Sequence, residues 1–150
     1  AGACTLLKTN PVSGTADPAR AEAACRGGQG DACARLYALE EQTSAPDPRR
    51  LLDLLDRGCA GGHLPSCNVL GGRYAMGKGV APDLKRAAEL AGKACAGGLF
   101  DACGNLAGMH LERRGVPRDI NRARNLFQRA CTGGITRACE FLSRLPQQPR

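Results

Sequence analysis

Tryptophan is absent from the chain, and aromatic residues make up only 3% of it. The interior must then be built mainly from Ala, Leu and Cys, small side chains that suit closely packed helices. The shortage also removes the stacking platforms on which single-stranded nucleic acid is bound. No apolar run reaches the roughly 18 residues of a membrane-spanning helix. A charged n-region followed by an apolar h-region is missing too, so if the protein is exported its leader precedes residue 1. There is no Cys-x-x-Cys, and the two histidines, His63 and His110, keep no regular spacing from the cysteines, which argues against zinc. None of Ser13, Ser44, Ser66 and Ser143 has Lys three residues later, so the Ser-x-x-Lys of serine β-lactamases is lacking. Cys-x-x-Cys-His, the haem-attachment motif, is lacking as well.

What the chain does contain is one stretch written four times. Cys25 to Cys33, Cys59 to Cys67, Cys95 to Cys103 and Cys131 to Cys139 share the skeleton Cys-x-Gly-Gly-x-x-x-x-Cys, and their first cysteines lie 34, 36 and 36 residues apart. A period of this size marks a solenoid of two-helix units. Eight cysteines in matched pairs imply disulfides, Cys25–Cys33, Cys59–Cys67, Cys95–Cys103 and Cys131–Cys139, and an oxidising compartment. The first cysteine falls in the last turn of one helix and the second in the first turn of the next, with two glycines letting the chain reverse. Each bridge closes a short loop, worth about 2.5 kcal/mol in the chain-entropy view. Such clasps compensate for an Ala-rich core and make a stiff array.

The helices follow from caps and breakers. Asp17-Pro18 and Asp47-Pro48 each place a capping carboxylate before a proline at the first helical position. Asp83 and Asp119 cap two more helices, with Ala87, Leu90, Ala91 and Ala94, then Ala123, Leu126 and Ala130, on their apolar sides. Asp31, Pro65 and Asp101 open the helices that carry Cys33, Cys67 and Cys103, and Thr136 caps a last one through Leu145. Gly27-Gly28, Gly61-Gly62, Gly97-Gly98 and Gly133-Gly134 end helices with left-handed caps. The organisation expected is one array over residues 1–150. It comprises a partial unit at 1–30, units at about 31–66, 67–102 and 103–138, a capping helix at 136–145 and a tail at 146–150.

Cys4 is the ninth cysteine. Leu7 follows it by three residues and Ala3 precedes it, the pattern of the second member of a pair, so its partner is expected about four residues before the chain begins. A lipidated cysteine after Ala1-Gly2-Ala3 and a free thiol are the alternatives. Net charge is +7, from 21 basic and 14 acidic residues. The basic residues are scattered rather than blocked. A solvated surface is the plainer reading, and nucleic acid is not the expected partner.

The unit with Cys67, Leu70-Gly71, Tyr74, Gly77-Lys78-Gly79-Val80, Asp83, Lys85-Arg86-Ala87 and Ala94-Cys95 resembles a Sel1-like repeat. The cysteine pairs make it similar to the Helicobacter cysteine-rich subgroup. Residues 31–145 follow the pattern and 1–30 follow it loosely. Thr43-Ser44-Ala45-Pro46 stands in place of Gly-x-Gly-Val, and His110 and Glu40 stand at the Tyr position. The resemblance implies an all-α, right-handed α/α solenoid of TPR type, whose first helices line a concave face that binds peptide or protein segments. It implies an adaptor or scaffold in an extracytoplasmic location (periplasmic, secreted or outer-membrane-associated), and the missing catalytic and ligand constellations lead to an expectation of no catalysis and no cofactor. The mitochondrial intermembrane space is the alternative compartment. The alternative activities in this family are β-lactam binding or weak hydrolysis and, further off, redox or haem-related assembly. Concave positions fall two, six and nine residues after the second cysteine, giving Arg35 and Leu39, then Val69, Arg73 and Met76, then Asn105, Met109 and Glu112. On that face Asn105 suits a peptide main chain, and Arg35 and Arg73 suit a carboxylate. Both histidines are expected to be structural.

Overall fold

The computed structural model describes residues 17–146. They form eight helices: α1 (Pro18–Arg26), α2 (Gly30–Glu41), α3 (Pro48–Ala60), α4 (Leu64–Met76), α5 (Leu84–Ala96), α6 (Phe100–Glu112), α7 (Ile120–Thr132) and α8 (Thr136–Arg144). No strand occurs among the described residues. Cys4, the first sixteen residues of the partial unit at 1–30 and the tail beyond Pro146 lie outside them. Packing runs almost wholly between chain neighbours, from α1 against α2 to α7 against α8, with α1 also touching α3. Each unit thus rests on the next, the arrangement of an α/α solenoid.

The second helices start as their sequences dictate. Asp17 and Asp47 accept from the backbone N–H of Ala19 and Arg49, each with proline in the first turn. Asp83 and Asp119 reach one residue further, to the N–H of Arg86 and Arg122. The first helices start differently. They begin at Gly30, Leu64, Phe100 and Thr136, and their N-caps Gln29, Leu99 and Ile135 make no side-chain capping bond. Thr136 is therefore the first helical residue rather than the cap, because Ile135 already has the extended backbone of a cap. Asp31 and Asp101 sit one residue inside, where a carboxylate still meets the positive end of the helix.

All four hinges are closed by disulfides, with Cα–Cα distances of 4.6 to 4.7 Å. The two glycines in each hinge serve different needs. The second one turns the chain: Gly28, Gly62, Gly98 and Gly134 have φ of 88°, 89°, 103° and 93°. The first has ordinary negative φ but leaves room for the preceding unit. A Cβ at Gly97 would lie 2.6 Å from Leu64 Cδ1, and one at Gly133 would lie 2.1 Å from Phe100 Cγ. At Gly61 the obstacle is backbone itself, the Gly28 carbonyl oxygen at 2.5 Å.

The interior is small and dense. Leu54, Leu55, Leu70, Cys33, Cys67 and Cys103 are its largest wholly buried side chains, and Ala94, Ala102, Ala107, Ala123 and Ala130 are fully covered. Six of the eight clasp cysteines are buried, whereas Cys131 and Cys139 at the C-terminal end are half-buried. Lys93 Nζ reaches back to the Cys59 carbonyl at 2.9 Å, and Arg129 to the Ala96 carbonyl at 3.5 Å. Each cation thus meets the negative end of the preceding second helix.

One turn departs from the repeat. Gly77 closes α4 with φ 67°, and the same place after α6 is taken by Arg113 with φ 58°. A Cβ at Gly77 would strike Pro82 Cγ at 2.6 Å. At the later turn Arg118 replaces that proline, so a side chain fits, though the left-handed backbone still disfavours it. Arg113→Gly is expected to raise stability by about 1 kcal/mol, while Gly77→Ala lowers it by at least that much, both measured by urea denaturation. Under graded reductant with alkylation and mass spectrometry, Cys131–Cys139 is expected to open first and the bridges of the two central hinges last.

Candidate functional site

A groove runs along the first helices of successive units. Its first part, about 240 Å³, lies between α4, α5 and α6 and includes Asn68, Gly72, Met76, Asn105, Met109 and Arg114. Its second, about 210 Å³, lies between α6 and α8 and includes Gly104, Asn105, Arg137 and Phe141. Asn105 belongs to both. Its Nδ2 donates to Asn68 Oδ1 at 3.1 Å, tying α6 to α4. That bond leaves Asn105 Oδ1 to accept and Asn68 Nδ2 to donate, the pair of groups a peptide unit needs.

Glycine lines the floor, Gly71 and Gly72 in its first part and Gly104 in its second, with Gly108 one turn further along α6. Among the described residues, and apart from the local helix backbone, no atom lies within 4 Å of a Cβ built at Gly104 or Gly108, and at Gly72 only the far end of Met76 does, at 4.0 Å. Glycine inside a helix costs about 0.5–1 kcal/mol against alanine. Gly71 repays that cost, because a Cβ there would press on the Ala87 carbonyl at 3.2 Å. The other three meet no such neighbour. Above the floor stand apolar side chains: Val69 is 40% exposed, Met76 71% and Phe141 42%. Phe141 is held by stacking on Phe127, centroids 5.3 Å apart.

The expected concave residues are distributed unevenly. Met76 and Asn105 line the groove, and Val69 is exposed beside it on α4. Glu112 is exposed and reaches Arg114 at 3.8 Å. Leu39 is 60% exposed on α2, outside the groove. Arg35 lines a separate depression at the N-terminal end with Arg20, Gln29 and Asp31. Met109 also lines the groove, though it is only 9% exposed, whereas Arg73 is 6% exposed and lies outside it. At about 100° per residue the sixth position is turned some 40–60° from the second and ninth, toward the first helix of the preceding unit. There Arg73 Nη2 donates to Tyr37 Oη at 2.8 Å and to Glu41 Oε1 at 3.3 Å, with the guanidinium 5.6 Å from the Tyr37 ring centroid. Arg73 is a brace between α2 and α4 rather than a free carboxylate receptor. Met109 instead packs with Ala87, Ala88, Ala91 and Leu106. Sequence reasoning missed Asn68, Gly104, Gly108 and Phe141, although their register after the second cysteine was available.

The histidines occupy structural places. His110 stands where α4 has Tyr74: Asp119 N–H bonds its carbonyl at 3.2 Å, as Asp83 N–H bonds that of Tyr74 at 2.9 Å. Its ring Nδ1 donates to the Pro117 carbonyl at 3.0 Å, which holds the loop before α7. His63 caps α4, its Nδ1 accepting from the Ser66 N–H at 3.2 Å. Ser66 Oγ lies 2.8 Å from the same nitrogen, but Ser66 is 3% exposed and packed over Gly58. Among the described residues there is no group of three or more His, Cys, Asp or Glu side chains able to hold a metal. None of the described helices is long and apolar enough to cross a membrane.

Tyr37 donates its hydroxyl to Glu41 Oε1 at 2.6 Å. Burial first, and then this bond, raise its pKa above the usual tyrosine value, with Arg73 opposing. The folded chain therefore holds this proton more tightly than the unfolded chain does. Its contribution to stability is complete below the unfolded pKa of about 10 and is lost as pH rises toward the folded value. Ultraviolet titration is expected to place Tyr37 above pH 10, with Glu41→Gln bringing it down and Tyr37→Phe flattening the alkaline loss of stability.

The Sel1 repeat family matches residues 64–99 and 100–135. No curated protein matches the chain. Among solved structures, the cysteine-rich protein B of Helicobacter pylori is 28% identical, with a TM-score of 0.67 over 83% of this chain and 90% of its own. A protective antigen of uropathogenic Escherichia coli with an SLR fold is also 28% identical, with a TM-score of 0.71 over 79% of this chain but 26% of its own. A Sel1 repeat protein from Oxalobacter formigenes, 19% identical, shares the fold with a TM-score of 0.73 over 89% of this chain and 56% of its own. The four disulfides and the Helicobacter neighbour point to an extracytoplasmic protein. Residues 64–135 match two Sel1 repeats, and the chain is a cysteine-rich α/α solenoid similar in fold to Sel1-repeat proteins.

Proposed function

We propose that the protein is a non-catalytic scaffold that binds an extended peptide or protein segment along α4, α6 and α8. The observation that carries this reading is the glycine floor. Gly104, in the groove lining, and Gly108 one turn along weaken α6, and no other described element fills the room they leave, so the room serves a backbone arriving from outside. The Asn68–Asn105 pair offers that backbone one donor and one acceptor. Val69, Met76 and Phe141 offer apolar contact on either side. Sel1 repeats are typically interaction scaffolds, and the stiffness given by the clasps lowers the entropy lost on binding.

The test uses peptides selected on the wild-type protein from a displayed library. Gly104→Ala with Gly108→Ala is expected to stabilise the fold by about 1–2 kcal/mol while weakening those peptides at least tenfold. Asn105→Ala is expected to weaken them without a gain in stability. Unchanged peptide affinity in the glycine variant, or amide shifts on binding that fall outside α4, α6 and α8, refutes the proposal.

A further inference from the structure

A second surface adjoins the groove at Arg114, where α6 turns into α7. Equivalent stretches of the three units differ steadily in charge. Residues 41–60 hold three basic and four acidic side chains, net −1; residues 77–96 hold four and two, net +2; residues 113–132 hold six and one, net +5. The lone carboxylate of the last stretch, Asp119, is already engaged in capping α7.

Of the three added arginines, Arg124 donates to the Pro146 carbonyl, whereas Arg113 and Arg118 serve no purpose in the fold. Arg113 stands in the left-handed position that glycine fills one unit earlier, and Arg118 stands where Pro82 rigidifies the earlier turn. Both are exposed. Arg122 continues a column of arginines, Arg50 and Arg86, which are paired: Arg50 with Glu22, and Arg86 with Asp56 and Glu89. The residue matching Glu89 is Asn125, and no side-chain partner of Arg113, Arg118 or Arg122 occurs among the described residues. Arg114 has only the 3.8 Å contact with Glu112. Lys85 of the neighbouring unit joins them, because Gly115 lies directly on the backbone of Leu84 and Lys85. A left-handed backbone held without structural gain is the kind of local exception that marks function.

We propose that this elbow, with Arg113, Arg114, Arg118, Arg122 and Lys85, docks on the anionic phosphate headgroups of a phospholipid surface. Guanidinium forks match phosphate oxygens. The exposed large apolar residues lie on other elements (Leu39, Val69, Met76 and Phe141) or, for Phe100, at the opposite end of α6. The elbow thus lacks the apolar centre that a specific protein interface buries. Aromatic residues for stacking bases are absent from it too. A surface of diffuse negative charge suits what remains. Arg114 also lines the first part of the groove, so docking there borders that part and leaves the part between α6 and α8 open.

The experiment is co-sedimentation of the whole chain with phosphatidylglycerol–phosphatidylcholine vesicles, at low and at raised salt. The variant combines Arg113→Gly and Arg118→Pro, which restore the preceding turn, with Arg122→Gln. Binding is expected to fall about fivefold per arginine removed, or roughly a hundredfold in all, and to weaken with salt. Thermal stability is expected to hold or rise. Should that variant misfold, Arg118→Gln with Arg122→Gln supplies the same reading without touching the turn. Removing Arg26 and Arg49, exposed arginines outside the elbow, is expected to leave binding within twofold. Failure of the wild-type chain to bind at low salt overturns the proposal. So does an equal loss in the control variant, which would show dependence on total charge alone. Tighter binding to polyglutamate than to the vesicles overturns it in favour of an acidic protein partner.

Discussion

Everything in this molecule depends on reversing the chain within a few residues while two helix ends stay within disulfide reach. A distance of 4.6 to 4.7 Å between cysteine Cα atoms leaves space for a turn but for very little else. One glycine meets the conformational demand and another the steric one. The covalent link then holds what the small alanine-rich core grips weakly. With the hinge rigid, the second helices can be capped at one end by an aspartate and braced at the other by a lysine or arginine from the following unit.

The periodic part of the fold was open to sequence reasoning because it repeats. Four copies of the clasp gave the units, and four Asp residues gave the second-helix starts, each by a mechanism that works locally. His110 was recognised as standing in a tyrosine position for the same reason. The starts of the first helices were less legible, since their caps, Gln29, Leu99 and Ile135, carry no capping side chain. Their beginnings are set by the hinge and by packing of Leu64 and Phe100 over glycine, not by a local signal.

The groove was half legible, and the reason is geometric. Register after the second cysteine places a residue on a helix but does not say how closely the neighbouring unit approaches. Position six proved to be a flank: Arg73 bends into Tyr37 and Glu41, and Met109 into the alanines of α5. The glycines of α6 were unreadable for the opposite reason. An open Cβ site and a crowded one look alike in sequence, as Gly72 and Gly71 show side by side. The elbow arginines carried a signal only by comparison between units, since scattered positive charge alone looks like an ordinary wet surface.

The position three residues before each second cysteine has a consequence for the path of the array. It is Gly30, then Leu64, then Phe100, and each lies against the first hinge glycine of the following unit. At the first junction backbone meets backbone, at the second a leucine intervenes, and at the third a phenyl ring does. These side chains act as wedges of increasing thickness along one edge of the stack. The spacing of successive units along this edge is thus set junction by junction, through the volume of a single residue.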